Sequence, residues 1–172
     1  MKGTGTQCLE LINASALDFI IGSCHIVDNM DPYYTDFWKN RQDRDAFELY
    51  FKTLLEGLLE FSQIDTLGHL DYVVRYSPNR DSNYSPRDYQ DVIDEILKFI
   101  IEKEIKLEIN TSNLSKGFDF FNPHTDIIKR YKELGGKYVT LGSDAHKAEH
   151  IGYGFDKAYE IANYFDLKIF TL

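Results

Sequence analysis

The fold is decided by the stretch Tyr138-Val139-Thr140-Leu141-Gly142-Ser143-Asp144-Ala145-His146. It begins with apolar and β-branched residues, a pattern typical of a buried strand. Gly142 and Ser143 are expected to let the chain turn sharply, so that Asp144 and His146 emerge at the end of the strand. A carboxylate and an imidazole held there are suited to bind a divalent metal ion.

Two other stretches repeat this design, with an apolar run, a glycine and then a histidine. They are Ile64-Asp65-Thr66-Leu67-Gly68-His69-Leu70-Asp71 and Phe19-Ile20-Ile21-Gly22-Ser23-Cys24-His25. Taken alone, a histidine after a strand is more often a hydrogen-bonded loop residue than a metal ligand. Because the placement occurs three times, we expect a shared metal cluster formed by His25, His69, Asp144 and His146.

Composition limits the class of protein. The chain has 172 residues and a mass of 20.0 kDa, which predicts one domain over residues 1–172, with a loose polar start at residues 1–7. The net charge of -9 argues against a nucleic-acid partner, since phosphate neutralisation needs clustered Lys and Arg. An acidic chain can still bind a small phosphorylated metabolite if a metal ion or a local arginine supplies positive charge.

Cellular location is suggested by the cysteines and by the lack of long apolar runs. Cys8 and Cys24 do not make a disulfide framework, so a reducing cytoplasm is the expected compartment. No apolar run approaches the roughly 20 residues that a membrane span requires, and none is expected to contact a membrane.

The order of elements predicts an α/β fold of about five parallel strands with crossover helices. The predicted helices are Cys8–Leu17, Asp45–Phe61, one starting at Ser85-Pro86 with Ser85 as N-cap, Pro123–Leu134 and Phe155–Phe165; the predicted strands are Phe19–Gly22, Ile64–Leu67, Ile105–Asn110, Tyr138–Leu141 and Leu167–Leu172. A barrel and an open doubly wound sheet both fit this order. A barrel explains the motifs better, because it brings all strand ends to one mouth.

Several side chains near the motifs have two possible roles. Glu108 and Asn110 either line the mouth or lie on a solvated edge. Arg75 either captures a phosphate or forms a surface salt bridge. Asp71 either orients an imidazole or is an ordinary loop carboxylate. A long aromatic loop over residues 28–44 has a length that is often functional.

Four motifs in this order, Gly22-Ser23-Cys24-His25, Gly68-His69-Leu70-Asp71, Glu108-Ile109-Asn110-Thr111-Ser112 and Gly142-Ser143-Asp144-Ala145-His146, resemble the polymerase-and-histidinol-phosphatase (PHP) superfamily. The closest resemblance is to its histidinol-phosphate phosphatase branch. It implies a distorted (β/α)7 TIM-like barrel of the PHP type, whose strand ends hold two or three Zn, Mn or Fe ions. It also implies hydrolysis of a phosphate monoester, L-histidinol phosphate, to histidinol and phosphate.

The resemblance also implies roles for individual residues. His25 and His69 correspond to ligands of one metal ion, Asp144 to a ligand of another, and His146 to a ligand of a third or of the phosphate. Asp144 and His146 are thereby the implied catalytic residues. Arg75 resembles a phosphate-binding residue.

The chain departs from the family pattern before His25. The family opens with a His-x-His motif, whereas no histidine precedes His25 here. We therefore expect an incomplete barrel with exposed strand edges and incompletely coordinated metal ions. Three alternatives follow: another chain completes the barrel, a homo-oligomer covers the edges, or the chain is a remnant without full activity. The last would act as a non-catalytic interaction or oligomerisation module.

Overall fold

The computed structural model of the chain describes residues 3–171. Five parallel strands pair in the order β1-β2-β3-β4-β5. Their bounds are β1 Ile21–Gly22, β2 Thr66–Leu67, β3 Lys106–Asn110, β4 Tyr138–Gly142 and β5 Lys168–Ile169. The prediction of about five parallel strands with crossover helices is confirmed. Each strand pairs with the next in sequence, which is the order of a barrel and not of a doubly wound sheet.

Helices connect the strands and cover one face of the sheet. The α-helices are α1 Gly5–Asn13, α2 Thr35–Trp38, α3 Asp43–Glu60, α4 Gln90–Glu102, α5 Ser112–Ser115, α6 Thr125–Glu133 and α7 Phe155–Tyr164, and 3₁₀ turns span Tyr72–Tyr76, Pro86–Tyr89 and Ala148–His150. In α3 and α4 the apolar side chains recur every three or four residues, so each helix buries one face against the sheet. No helix within residues 3–171 has the length and apolar character needed to cross a bilayer.

Two helix starts differ from the sequence prediction. Helix α1 spans Gly5–Asn13 and not Cys8–Leu17, because the Glu60 carboxylate accepts hydrogen bonds from the backbone N–H of Gly3 and Gly5 at 2.6 and 3.1 Å. Part of the predicted loose start is thus helical, while residues 1 and 2 lie outside the described residues. Ser85 occupies the predicted N-cap position, but the element that it begins is a 3₁₀ turn, and its side chain makes no capping hydrogen bond.

The two faces of the sheet differ in polarity. Leu67, Leu107, Ile109 and Val139 point toward the helices and are fully buried. The alternate positions form a concave face that is polar at its centre, where the Thr66 and Thr140 hydroxyl oxygens lie 2.8 Å apart. Alternation along β3 therefore places Glu108 on the concave face, with apolar neighbours on the other side.

The sheet curls without closing. Its pairing runs from β1 to β5, and no ladder joins these two strands among the described residues. The Phe19 ring, before β1, nevertheless stacks on the Phe170 ring, after β5, with centroids 6.1 Å apart. The Lys106 ammonium lies 4.5 Å from the Phe170 centroid. Near Phe19 and Phe170, the gap between β1 and β5 is therefore bridged by side chains and not by backbone hydrogen bonds.

Shortening Leu97 tests the packing of α4 on the sheet. This side chain is fully buried, so Leu97→Ala should lower the free energy of unfolding by about 2–5 kcal/mol in urea denaturation. Leu59→Ala is the matched control on α3, because Leu59 is 64% exposed and its loss should cost less than about 0.5 kcal/mol. Equal effects of the two substitutions would contradict the placement of α4.

Candidate functional site

The carboxyl ends of the strands surround a cleft of about 470 Å³. Its lining residues come from four neighbouring strands and the turns that follow them: Ile21, Ser23, His25, His69, Glu108, Asn110, Gly142 and Asp144. Three of the four predicted metal ligands, His25, His69 and Asp144, thus lie on one cleft. Glu108 and Asn110 line it as well, so they face the mouth and not a solvated edge.

The two imidazoles face each other across the cleft. The Nε2 atoms of His25 and His69 are 3.2 Å apart. Burial lowers the pKa of both rings, and for His69 the charge of Arg75 lowers it further. Both imidazoles are therefore neutral near pH 7, which is the form that binds metal ions.

The separation of the Nε2 atoms fits a shared ion. Two nitrogens bound at about 2.0–2.1 Å to one tetrahedral zinc ion lie roughly 3.3–3.4 Å apart. The described residues do not, however, complete the site. No group of three or more His, Cys, Asp or Glu side chains within residues 3–171 is arranged to hold a metal ion. This part of the chain thus brings two imidazole nitrogens within the spacing of a shared ion, and the Nδ1 atom of His69 is buried without a hydrogen-bond partner there.

The Glu108 carboxylate lies between the glycines of two motifs. Its Oε2 atom accepts hydrogen bonds from the His69 backbone N–H at 2.8 Å and from Asn110 Nδ2 at 3.1 Å. A Cβ atom on Gly142 would overlap this carboxylate, and one on Gly68 would contact it at 3.4 Å. Burial raises the pKa of Glu108, although its two hydrogen bonds oppose the shift.

The strand-end glycines are required for space and not for backbone conformation. Neither Gly68 nor Gly142 has a positive φ, whereas His69 and Asp144 do, at 24° and 46°. The expectation that Gly142 makes the turn is therefore wrong. The left-handed residue of each turn is the functional side chain itself. Gly142 leaves room for Glu108, and Gly68 leaves room for Ser23 and Ile21.

Arg75 is buried beneath the cleft and holds Asp144. Its side chain is 1% exposed, and its Nη1 atom donates to Asp144 Oδ2 at 3.1 Å. Partial burial opposes ionisation of Asp144, but the hydrogen bond and charge of Arg75 outweigh it, and the pKa of the carboxyl is lowered. Arg75 thus forms a buried ion pair and not the surface salt bridge that the sequence left open.

A buried amide fixes the other edge of the Arg75 guanidinium. Asn122 Oδ1 accepts from Arg75 Nε at 3.1 Å and from Nη2 at 2.6 Å, while Asn122 Nδ2 donates to Asp71 Oδ1 at 2.5 Å. This amide orientation follows from chemistry, because arginine only donates, so the Asn122 oxygen must face it. Asp71 is fully buried and contacts Asn122, Tyr84 and the His124 backbone, so it does not orient an imidazole.

The sequence reasoning did not identify Asn122. It lies 47 residues after Arg75 in the chain, and no motif connects the two. The local signal available was an asparagine between Phe121 and Pro123, since a residue before proline is held extended.

His146 lies apart from the other predicted ligands. Its side chain is 84% exposed, and its Nε2 atom is 3.5 Å from Asp144 Oδ1. It does not line the cleft that holds His25 and His69. Cys24, next to His25, is buried and its pKa is raised to about 11 by burial, so its thiol is not poised as a nucleophile.

Comparisons of this chain with a family model, with curated proteins and with solved structures all indicate the same family. A family model described as PHP domain matches residues 4–112. A probable histidinol-phosphatase of Clostridium acetobutylicum is 41% identical over 151 residues, covering 88% of this chain and 59% of the relative. The histidinol-phosphatase of Lactococcus lactis is 31% identical over an alignment covering 93% of this chain and 63% of the relative. The chain therefore spans about three-fifths of the length of these curated relatives.

One solved structure has a similar fold. It is the crystal structure of histidinol phosphate phosphatase from Lactococcus lactis, complexed with zinc, L-histidinol and phosphate. The TM-score is 0.81 at 25% sequence identity, and the match covers 98% of this chain and 64% of that one.

Adding a methyl group at Gly142 tests whether this glycine makes room for the Glu108 carboxylate. Gly142→Ala should lower the free energy of unfolding by about 1–3 kcal/mol, because its Cβ overlaps the carboxylate. Glu108→Ala should also destabilise, since it leaves the His69 N–H unpaired.

The double variant separates the two effects. Because the overlap needs both side chains, the double variant should be more stable than the sum of the single losses by about 0.5–3 kcal/mol. Chemical denaturation of the four proteins gives this coupling energy. Strict additivity would show that the glycine does not make room for the carboxylate.

Proposed function

The chain belongs to the PHP domain family, and from this membership we infer that it is a metal-dependent phosphoesterase acting on L-histidinol phosphate. The reaction is hydrolysis of the phosphate monoester to L-histidinol and phosphate. These two products are the molecules bound in the similar Lactococcus lactis structure. Relatives named histidinol-phosphatase or probable histidinol-phosphatase support the same substrate.

The observation that carries the proposal is the pair of neutral imidazoles in the cleft. His25 and His69 would hold one divalent ion, since their Nε2 atoms are 3.2 Å apart. Zinc is the candidate suggested by the similar structure, while manganese and iron remain alternatives from the sequence resemblance. When bound, such an ion supplies Lewis-acid stabilisation of the charge that develops on the phosphoryl group.

The remaining side chains have proposed roles that follow from their contacts. Arg75 holds the Asp144 carboxylate and adds positive charge beneath the cleft, so its phosphate role is electrostatic and not a direct contact. Asp144 is the proposed third metal-site residue and a catalytic group. His146, exposed beside Asp144, is free to approach a metal ion or a phosphate at the mouth.

A second candidate function is a non-catalytic interaction module derived from the same family. It is favoured by one observation, namely that residues 3–171 do not group three metal-binding side chains. Under this alternative the unpaired edges of β1 and β5 would serve assembly, and a homo-oligomer would cover them.

Metal-dependent hydrolysis tests the first candidate. Phosphate release from L-histidinol phosphate should require added zinc or manganese and should stop when a chelator is added. His69→Ala should reduce both the rate and the affinity for zinc by about 100-fold or more, because it removes one of the two imidazoles. Zinc affinity is measured by calorimetry, independently of activity.

His150→Ala serves as the matched control. His150 contacts the Tyr153 ring and does not line the cleft, so the substitution should leave both quantities unchanged. If the purified chain neither binds zinc nor releases phosphate, and light scattering finds a stable dimer, the interaction module is the correct alternative.

A further inference from the structure

Asn122 is held by its backbone at the end of β3. Its N–H donates to the Asn110 carbonyl at 3.0 Å, and its own carbonyl accepts from the Asn110 N–H at 2.8 Å. This pair of hydrogen bonds fixes the segment before α6 to the strand. The Asn122 side chain is fully buried, and from this anchored position it reaches beneath the cleft to Arg75.

The orientation of the Arg75 guanidinium is set by its neighbours. The centroids of the Tyr72 and Tyr76 rings lie 5.5 and 5.9 Å from its central carbon. One edge is held by Asn122 Oδ1, which accepts from both Nε and Nη2, and the remaining nitrogen, Nη1, is directed at Asp144 Oδ2. Rotation about the bond between Nε and Cζ would therefore break the contacts with both Asn122 and Asp144.

An amide at position 122 meets two opposite chemical demands. On one side, Arg75 presents only donors, so its neighbour must accept. On the other side, Asp71 Oδ1 accepts from Asn122 Nδ2, while Asp71 Oδ2 accepts from the His124 backbone N–H at 2.8 Å. Because Asp71 is fully buried and held at both oxygens, it fixes which way the Asn122 amide faces.

We propose that Asn122 is a positioning residue for the hydrolysis, because it fixes the edge of Arg75 that holds Asp144 at the cleft. This inference rests on the proposed function. Within residues 3–171 the other donor to Asp144 Oδ2 is Ser112 Oγ at 3.4 Å, which is farther away than Arg75 Nη1 at 3.1 Å. The direction of the Asp144 carboxylate thus depends on an amide that does not itself line the cleft.

Asn122→Ala tests the positioning role, because it removes both hydrogen bonds from one edge of Arg75. The variant should lower kcat for L-histidinol phosphate about 10–100-fold and change KM less than about threefold, since the Arg75 charge acts most strongly as charge develops on the phosphoryl group. In NMR spectra the two Nη groups of Arg75, separate while the guanidinium is held, should merge as its rotation becomes fast. Asn122→Ser, whose hydroxyl is too short to accept from both nitrogens, takes its place if the alanine variant does not fold.

Exchanging the two buried partners should restore both measurements. In the double variant Asp71→Asn/Asn122→Asp, a carboxylate oxygen accepts from Arg75 Nε and Nη2, and the amide now at position 71 donates to the other oxygen of that carboxylate. The oxygen of the same amide accepts from the His124 N–H. Because the hydrogen bonds and the number of carboxyl groups are kept, kcat should return to within about threefold of the wild-type value.

Asp94→Ala is the matched control, because Asp94 accepts from Nε and Nη2 of Arg130 at 2.8 and 2.5 Å, away from the cleft. It should leave kcat and the Arg75 signals unchanged. Unchanged kcat or unchanged Arg75 signals in Asn122→Ala, or a loss of kcat that the exchange does not restore, overturns the positioning role and leaves the phosphatase function intact. If the wild-type chain releases no phosphate, the phosphatase function is rejected, and Arg75 signals that merge in Asn122→Ala and separate again after the exchange uphold the positioning of Arg75.

Discussion

A carboxylate buried at the centre of a sheet persists only where space and hydrogen-bond donors are both provided, and Glu108 obtains both from neighbouring strands. Gly142 leaves the space, while the His69 backbone N–H and Asn110 supply donors. The same hydrogen bond holds His69 at its positive φ, with its ring against His25. The positions of His69 and Asn110 in the cleft therefore depend on this one carboxylate.

A second buried charge is balanced in a different way. Arg75 lies under the cleft between the Asp144 carboxylate and the Asn122 amide, and Asn122 is itself held by Asp71. Each polar atom in this sequence of contacts has a partner of the opposite kind, which is the condition for a buried polar network to be stable. The network ties the turns after β2 and β4 to the segment before α6. Loops that carry chemistry are in this way fixed to one another as well as to the sheet.

The strand and helix order could be predicted from the sequence because it depends on local patterns of apolar residues. Apolar runs that end in glycine marked the strands, and helical spacing marked α3 and α4, so the parallel order followed. Contacts between distant segments could not be predicted. Asn122 and Arg75 are separated by 47 residues, and Glu60 reaches back 55 residues to Gly5. The sequence patterns identified the motif glycines but not why glycine is needed there. At Gly142 the need arises from the Glu108 side chain, which belongs to a different strand.

The stacking of Phe19 on Phe170 has a consequence for assembly. Edge strands normally offer free backbone groups to any incoming strand. Here the Phe19 and Phe170 rings, with centroids 6.1 Å apart, lie in the gap between β1 and β5. A polypeptide that added strands there would have to displace one ring from the other. Closing the barrel with strands from another polypeptide would thus require the Phe19–Phe170 contact to break first. The free energy of this ring contact would be subtracted from that gained by pairing the added strands.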